Sequence, residues 1–166
     1  MTMPTPARPL PKPQRLLLAA VQLAPFLLAA PAAADPKSAF VARCAMCHQA
    51  SGEGLAGQFP KLAGRAAAIA QSPEGRRYMT RVVLGGMSGP IEVDGARVSG
   101  VMPGMSSLSD AEIADVLNHA LTLGKPAKPA KPFKPADIAA VRGEGRATLA
   151  ENRALRAELV TAGVIR

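Results

Sequence analysis

Cys44, Cys47 and His48 stand together in the run Cys44-Ala45-Met46-Cys47-His48. They are the chain's two cysteines and one of its two histidines. Two thiols three positions apart can add to the two vinyl groups along one edge of a haem. The residue that follows then lies beneath the iron and offers an imidazole nitrogen. This C-x-x-C-H spacing is the attachment pattern of c-type haem. Other chemistries fit less well. A C-x-x-C redox motif needs a βαβ setting, which the sequence lacks. A structural zinc site wants four ligands; Cys44, Cys47 and His48 give three, and only His119 remains. The two cysteines are too close to staple a fold, which excludes a disulfide-rich module. One motif implies one haem.

The second axial position decides what such an iron does. A methionine or a second histidine closes it, whereas an open site allows gas or peroxide chemistry. His119 lies mid-helix beside an apolar stripe and suits a packing or surface role. Met1 and Met3 belong to the N-terminal segment. Met46 is tethered too closely to cross to the far face, and Met79 reads as core. Met87 sits in a Gly-rich loop and stays open as a candidate. The run Val101-Met102-Pro103-Gly104-Met105 is the stronger source. Pro103 fixes the backbone after Met102 and biases Met102 itself towards an extended conformation. Met102 is therefore the first candidate and Met105 the second.

The rest of the chain must position these groups. Its 166 residues allow one domain plus extensions. Hydrophobic residues make up 48% and charged residues 19%, so most of the chain should fold. Yet there is no Trp, one Tyr and four Phe. That is thin for an ordinary core, and a covalent macrocycle would fill the gap. Residues 1–34 begin with Arg8, Lys12 and Arg15, continue through an apolar run from Leu16 to Ala30 and end on Ala32-Ala33-Ala34. This reads as a secretory signal peptide cleaved after Ala34, with an uncleaved anchor as the alternative. Residues 35–124 form the expected domain. Residues 125–135, Lys-Pro-Ala-Lys-Pro-Ala-Lys-Pro-Phe-Lys-Pro, form a linker with a stiff, extended path. Residues 136–166 read as a basic, weakly helical extension broken at Gly143-Glu144-Gly145.

The net charge of +8 is uneven. The domain is neutral, with eight basic and eight acidic residues, while 125–166 carries nine basic and four acidic. No basic patch interleaved with aromatics occurs in the domain, which argues against nucleic acid. The tail's charge suits a partner protein or an anionic membrane surface. Removing residues 125–166 is expected to leave the haem spectrum intact.

Three helices are expected in the domain. The first covers about 36–46. The second starts at Ser72-Pro73-Glu74, a good cap, first-turn proline and first-turn acid, and stops at Gly85-Gly86. The third follows a Ser109/Glu112 capping box and carries Ile113, Val116, Leu117, Ala120 and Leu121 as one stripe, ending at Gly124. Ile91–Val98 suggests a small hairpin turning at Val93-Asp-Gly-Ala.

With these features in place, residues 37–124 resemble a class I (monohaem) bacterial cytochrome c. The resemblance rests on Phe40 ahead of C-A-M-C-H, on the loop 52–57, and on Phe59-Pro-Lys-Leu-Ala-Gly64. It also rests on G-V-M-P-G-M at 100–105 and L-S-D-A-E-I-A-D-V-L at 108–117. The resemblance implies an all-α cytochrome c fold, with three main helices and Gly-rich loops around one covalent haem. It implies Met102 as the axial methionine and the Pro60 carbonyl as the orienter of His48. It implies an electron carrier rather than an enzyme. Such a carrier passes single electrons in the periplasm from a dehydrogenase to another cytochrome or a terminal oxidase. The Phe-Pro-x-Leu-Ala-Gly pattern resembles cytochromes that serve dehydrogenases, so a fixed dehydrogenase subunit is the alternative. A haem sensor or enzyme with an open distal site is a third reading. Asn118-His119 stands where the family commonly has an aromatic, so the contact between the first and last helices is expected to differ.

Overall fold

Prolines start three of the helices, at Pro36, Pro73 and Pro135, where a missing N–H costs nothing. The computed structural model describes Met3 and residues 35–166. The expected signal segment, 1–34, lies outside the described residues apart from Met3. In chain order the elements are α1 (Pro36–Arg43), α2 (Ala45–His48), α3 (Arg65–Ile69), α4 (Pro73–Gly85), β1 (Gly86–Ser88), β2 (Ile91–Val93), β3 (Ala96–Val98), β4 (Val101–Pro103), α5 (Asp110–Thr122), α6 (Pro135–Gly143) and α7 (Leu149–Thr161). Among the described residues, no helix is long and apolar enough to cross a membrane.

The capping chemistry is as the sequence implies. The Ser72 hydroxyl accepts from the Gly75 N–H at 3.0 Å, ahead of Pro73. Ser109 and Glu112 form both halves of a capping box. The stripe Ile113, Val116, Leu117, Ala120, Leu121 is buried, and Ala114 is buried with it. That wider face lets α5 pack on two sides. Val116 and Ala120 meet Phe40, Cys44 and Leu123 in one cluster. Ile113, Leu117 and Leu121 meet Val83, Phe133 and Ile138 in another. The Phe40 and His119 rings lie 5.1 Å apart and tilted, so His119 takes the aromatic's place between α1 and α5.

Two expectations need correction. The first concerns the all-α class: the fold is mostly helical, but strands go beyond the one expected hairpin at Ile91–Val98. The chain forms two antiparallel two-stranded sheets, β2–β3 and β1–β4. The β2–β3 hairpin turns through Asp94 (φ 52°) and Gly95 (φ 76°), the positive pair a tight two-residue turn demands. The β1–β4 pair brings Met87 opposite Met102. It needs a close approach at Gly86 (φ 77°), where any Cβ would collide with the Met102 carbonyl oxygen.

The second correction concerns the C-terminal extension. Residues 125–134 have no regular structure, α6 starts at Pro135, and the helix break falls at residues 144–148. The extension is nevertheless not a separate arm: residues 35–166 belong to one compact unit. Phe133 and Ile138 are buried against α5, and Leu159 and Ile165 against Tyr78, Val82 and Met87. Asn118 grips the linker, accepting from the Phe133 N–H at 2.7 Å and donating to its carbonyl at 3.0 Å. The Arg76 guanidinium stacks 3.8 Å above the Phe133 ring. An amide next to His119 is thus useful because it holds the tail.

Candidate functional site

The Cys44–His48 segment is one helical turn at the junction of α1 and α2. The Cys44 N–H donates to the Phe40 carbonyl at 2.8 Å, and the His48 N–H donates to the Cys44 carbonyl at 2.9 Å. Positions i, i+3 and i+4 share a helix face, so Cys44, Cys47 and His48 lie on one side of this turn. Met46 points away, 92% exposed, and is no ligand candidate. Both cysteines are free. Burial, and then the neighbouring Cys47, push the Cys44 thiol up to about 11, which keeps it protonated at neutral pH.

His48 is buried, and its ring is held from behind. Nδ1 lies 3.0 Å from the Pro60 carbonyl oxygen. A carbonyl only accepts, so Nδ1 carries the proton and Nε2 keeps its lone pair. Burial holds the imidazole below the ordinary histidine range; the Pro60 hydrogen bond works the other way. The side chain is therefore a neutral nitrogen ligand with its tautomer fixed by a second group, as metal-binding histidines generally are.

Gly54 makes that geometry possible. Its N–H donates to the His48 carbonyl at 3.0 Å. Its φ is 71°, and a Cβ there would collide with the Phe59 carbonyl and stand 2.8 Å from the Pro60 carbonyl oxygen. Gly54→Ala should therefore displace Pro60 as well as strain the backbone, at a cost of roughly 1–3 kcal/mol. The expected outcome is a lower thermal midpoint and a lower yield of haem-loaded protein. An unchanged midpoint with unchanged loading would contradict this role for Gly54.

The thioether side is built by the β1–β4 pair. Residues directly opposite in an antiparallel ladder project to the same face. Met87 and Met102 therefore present two sulfurs side by side. They differ in their partners. Met87 is buried, and the Tyr78 hydroxyl donates to its sulfur at 3.5 Å. Among the described residues the Met102 sulfur has no hydrogen-bond donor, and its side chain is half-buried against two core clusters. Met105 packs against the Val83–Leu108–Ile113 cluster, and its N–H donates to the Val83 carbonyl at 2.8 Å. Met79 touches all three core clusters and acts as packing.

The donor set fits a covalently held haem better than a bare ion. Among the described residues, no three His, Cys, Asp or Glu side chains gather to hold a metal. His119, the fourth ligand that zinc would need, is committed to Phe40. What remains is two free thiols on one face of a turn, one imidazole with its outer nitrogen open, and thioethers on a separate sheet.

The sequence did not reveal how far the tail supports this sheet. Asn152, fully buried, donates from Nδ2 to the Gly86 carbonyl at 2.7 Å and the Arg81 carbonyl at 3.0 Å. Arg142 donates to the Ser106 carbonyl at 2.8 Å and the Leu108 carbonyl at 2.7 Å, and pairs with Asp110. The backbone on either side of Met87–Met105 is thus tied by α6 and α7. Asn152, Arg156 and Leu159 lie at i, i+4 and i+7, the only available signal, and two of the three are polar.

Comparison with known proteins agrees with this geometry. A family model described as Cytochrome c matches residues 33–124. The chain is 49% identical over 81 residues to cytochrome c-552 of Thermus thermophilus, covering 49% of this chain and 62% of that protein. It is 37% identical over 84 residues to the cytochrome c subunit of a quinone alcohol dehydrogenase from Gluconacetobacter polyoxogenes, covering 50% of this chain and 17% of that one. The chain thus spans less than two thirds of the length of these relatives. The match to the family model takes in the attachment turn, the Pro60 loop, both methionine strands and α5, and the chain belongs to the cytochrome c family, with covalently attached haem c as its cofactor.

Proposed function

We propose that the protein is an exported single-electron carrier in which His48 and Met102 hold the haem iron. Haem c, when bound, supplies an iron that takes up and releases one electron. Everything else falls to the chain. Cys44 and Cys47 would hold the macrocycle by thioether bonds. The Pro60 carbonyl fixes the His48 tautomer, leaving Nε2 as the neutral donor that would hold the iron. Met102 offers a soft thioether, which raises the potential relative to a second histidine. The two apolar clusters that pack against Met102 would lower the polarity on its side and raise the potential further.

The observation that carries this reading is the pairing of Met87 with Met102, in which one sulfur has a donor and the other has none. Export rests on the basic and apolar character of residues 1–34. The electron donor is a periplasmic dehydrogenase, and the acceptor is another cytochrome or a terminal oxidase. Potentiometric titration of haem-loaded protein tests the function. The expected result is one reversible one-electron wave with no peroxide or gas turnover. Rapid ligand binding or peroxide consumption by the resting protein would overturn it.

A second reading, a fixed cytochrome subunit of a dehydrogenase, has support in the similarity to the quinone alcohol dehydrogenase subunit. A subunit would co-purify with its enzyme, whereas a shuttle would elute alone.

A further inference from the structure

Arg156 is the one buried cation whose charge the described protein leaves unanswered. It lies on α7 at 5% exposure. A terminal nitrogen donates to the Glu92 carbonyl at 2.6 Å, and the guanidinium also lies against the Tyr78 oxygen. Among the described residues no carboxylate lies within ion-pair distance, although six other Lys/Arg–carboxylate pairs form. The other arginines near this face are committed: Arg65 to Asp94 and the Arg166 carbonyl, and Arg81 to Glu144. A guanidinium stays charged at any working pH and has five donors. Both partners of Arg156, the Glu92 carbonyl and the Tyr78 oxygen, are neutral, and burying a cation among neutral groups is costly unless an anion answers its charge.

Its neighbours indicate which anion. The guanidinium lies beside the Tyr78 hydroxyl, where its charge opposes the upward push that burial gives the phenol. Tyr78 in turn donates to Met87, and Met87 faces Met102. Arg156 is flanked on its helix by Leu155 and Leu159, which pack in the cluster of Tyr78, Met87 and Met102. Cys44 belongs to a different cluster, with Phe40, Ala63, Val116 and Ala120. The cation is therefore on the thioether-ligand side of the protein and away from the attachment turn. A haem held by its vinyl edge carries its two carboxylates on the opposite edge.

We propose that Arg156 receives the carboxylate of one haem propionate, with the Glu92 carbonyl and the Tyr78 oxygen holding the guanidinium in place. This rests on the haem reading above and makes α7 part of the cofactor site. Arg156 is a positioning residue: its charge offsets the propionate and so favours the reduced, less positive iron.

The test compares haem-loaded wild type with Arg156→Gln, Arg156→Lys and Arg153→Gln. Arg153 is an exposed arginine on the same helix and reports the effect of charge alone. Two quantities are read: the one-electron reduction equilibrium and the propionate bending modes in the resonance Raman spectrum. Arg156→Gln should lower the reduction equilibrium constant about three- to tenfold and shift a propionate mode. Arg156→Lys should recover most of the equilibrium but not the mode, and Arg153→Gln should change neither. If Arg156→Gln does not accumulate, the mode shift in Arg156→Lys decides. Propionate modes unchanged in every Arg156 variant that retains haem would overturn the proposal while leaving the haem reading intact. Failure of wild type to attach haem would instead overturn that reading.

Discussion

Deleting residues 125–166 destabilises the protein by several kcal/mol and sharply lowers the yield of haem-loaded chain. The extension places Phe133, Ile138, Leu159 and Ile165 in the core. Each buried side chain of this size contributes roughly 1.5–3 kcal/mol. Together they rival the roughly 5–15 kcal/mol of net stability a whole domain has. The ordering entropy of the extension offsets part of that sum. The exposed faces left on α4 and α5, however, have no other cover. The tail's ion pairs decide little. Arg76–Asp137 and Arg77–Glu144 lie at the protein surface, where such pairs are worth about 0–1 kcal/mol. Burial and the carbonyls held by Asn152 and Arg142 therefore decide the outcome. The thermal midpoint of any haem-loaded truncated protein should fall by roughly 10–20 °C. A truncated protein with wild-type spectrum and midpoint would restore the separable tail that composition alone suggests.

Replacing Met102 by alanine should leave haem attachment intact and change the iron. Attachment depends on Cys44, Cys47 and the turn that carries them, and Cys44 packs in a cluster that does not include Met102. The axial thioether would be gone, and Met87 cannot simply take over, because Tyr78 engages its sulfur and it is locked in a buried cluster. The reduction potential should fall on the order of a hundred millivolts, within the roughly 0.8 V range that axial ligands control. The opened position should bind small exogenous ligands. Met87→Ala should loosen packing and lower the thermal midpoint while the potential stays near that of wild type. Cyclic voltammetry and ligand titration of the two variants check this. A large potential drop in Met87→Ala with none in Met102→Ala would reverse the assignment.

The parts legible in sequence are those where local chemistry and tertiary demand agree. The Ser109–Glu112 box and the stripe from Ile113 to Leu121 specify α5 without knowledge of its neighbours. Ser72-Pro73-Glu74 and the paired glycines do the same for α4. Asp94-Gly95 announces the hairpin because few other pairs accept two positive φ values. The attachment motif is legible because its chemistry is local. The β1–β4 pair is not: three-residue strands cannot show alternation, and twelve residues separate them. Helix α3 is short and Ala-rich, with Gly64 rather than a side-chain cap at its start. The tail's helical character and its break were visible, but its packing was not. Its buried seam on α7 is Asn152, Arg156 and Leu159, and a hydrophobic pattern does not register a seam with two polar members. Asn152 and Arg156 are buried where they meet backbone carbonyls, and sequence spacing carries no trace of a carbonyl's position.

The central claim is that His48 and Met102 together hold one covalent haem iron. Its most direct test is the optical spectrum of the oxidised protein, exported with haem-maturation machinery, for wild type and Met102→Ala. The account predicts low-spin haem c in both attachment and colour, with the near-red band of methionine-ligated ferric iron present in wild type and lost in the variant. A band that survives in Met102→Ala, or that never appears in wild type, would contradict it.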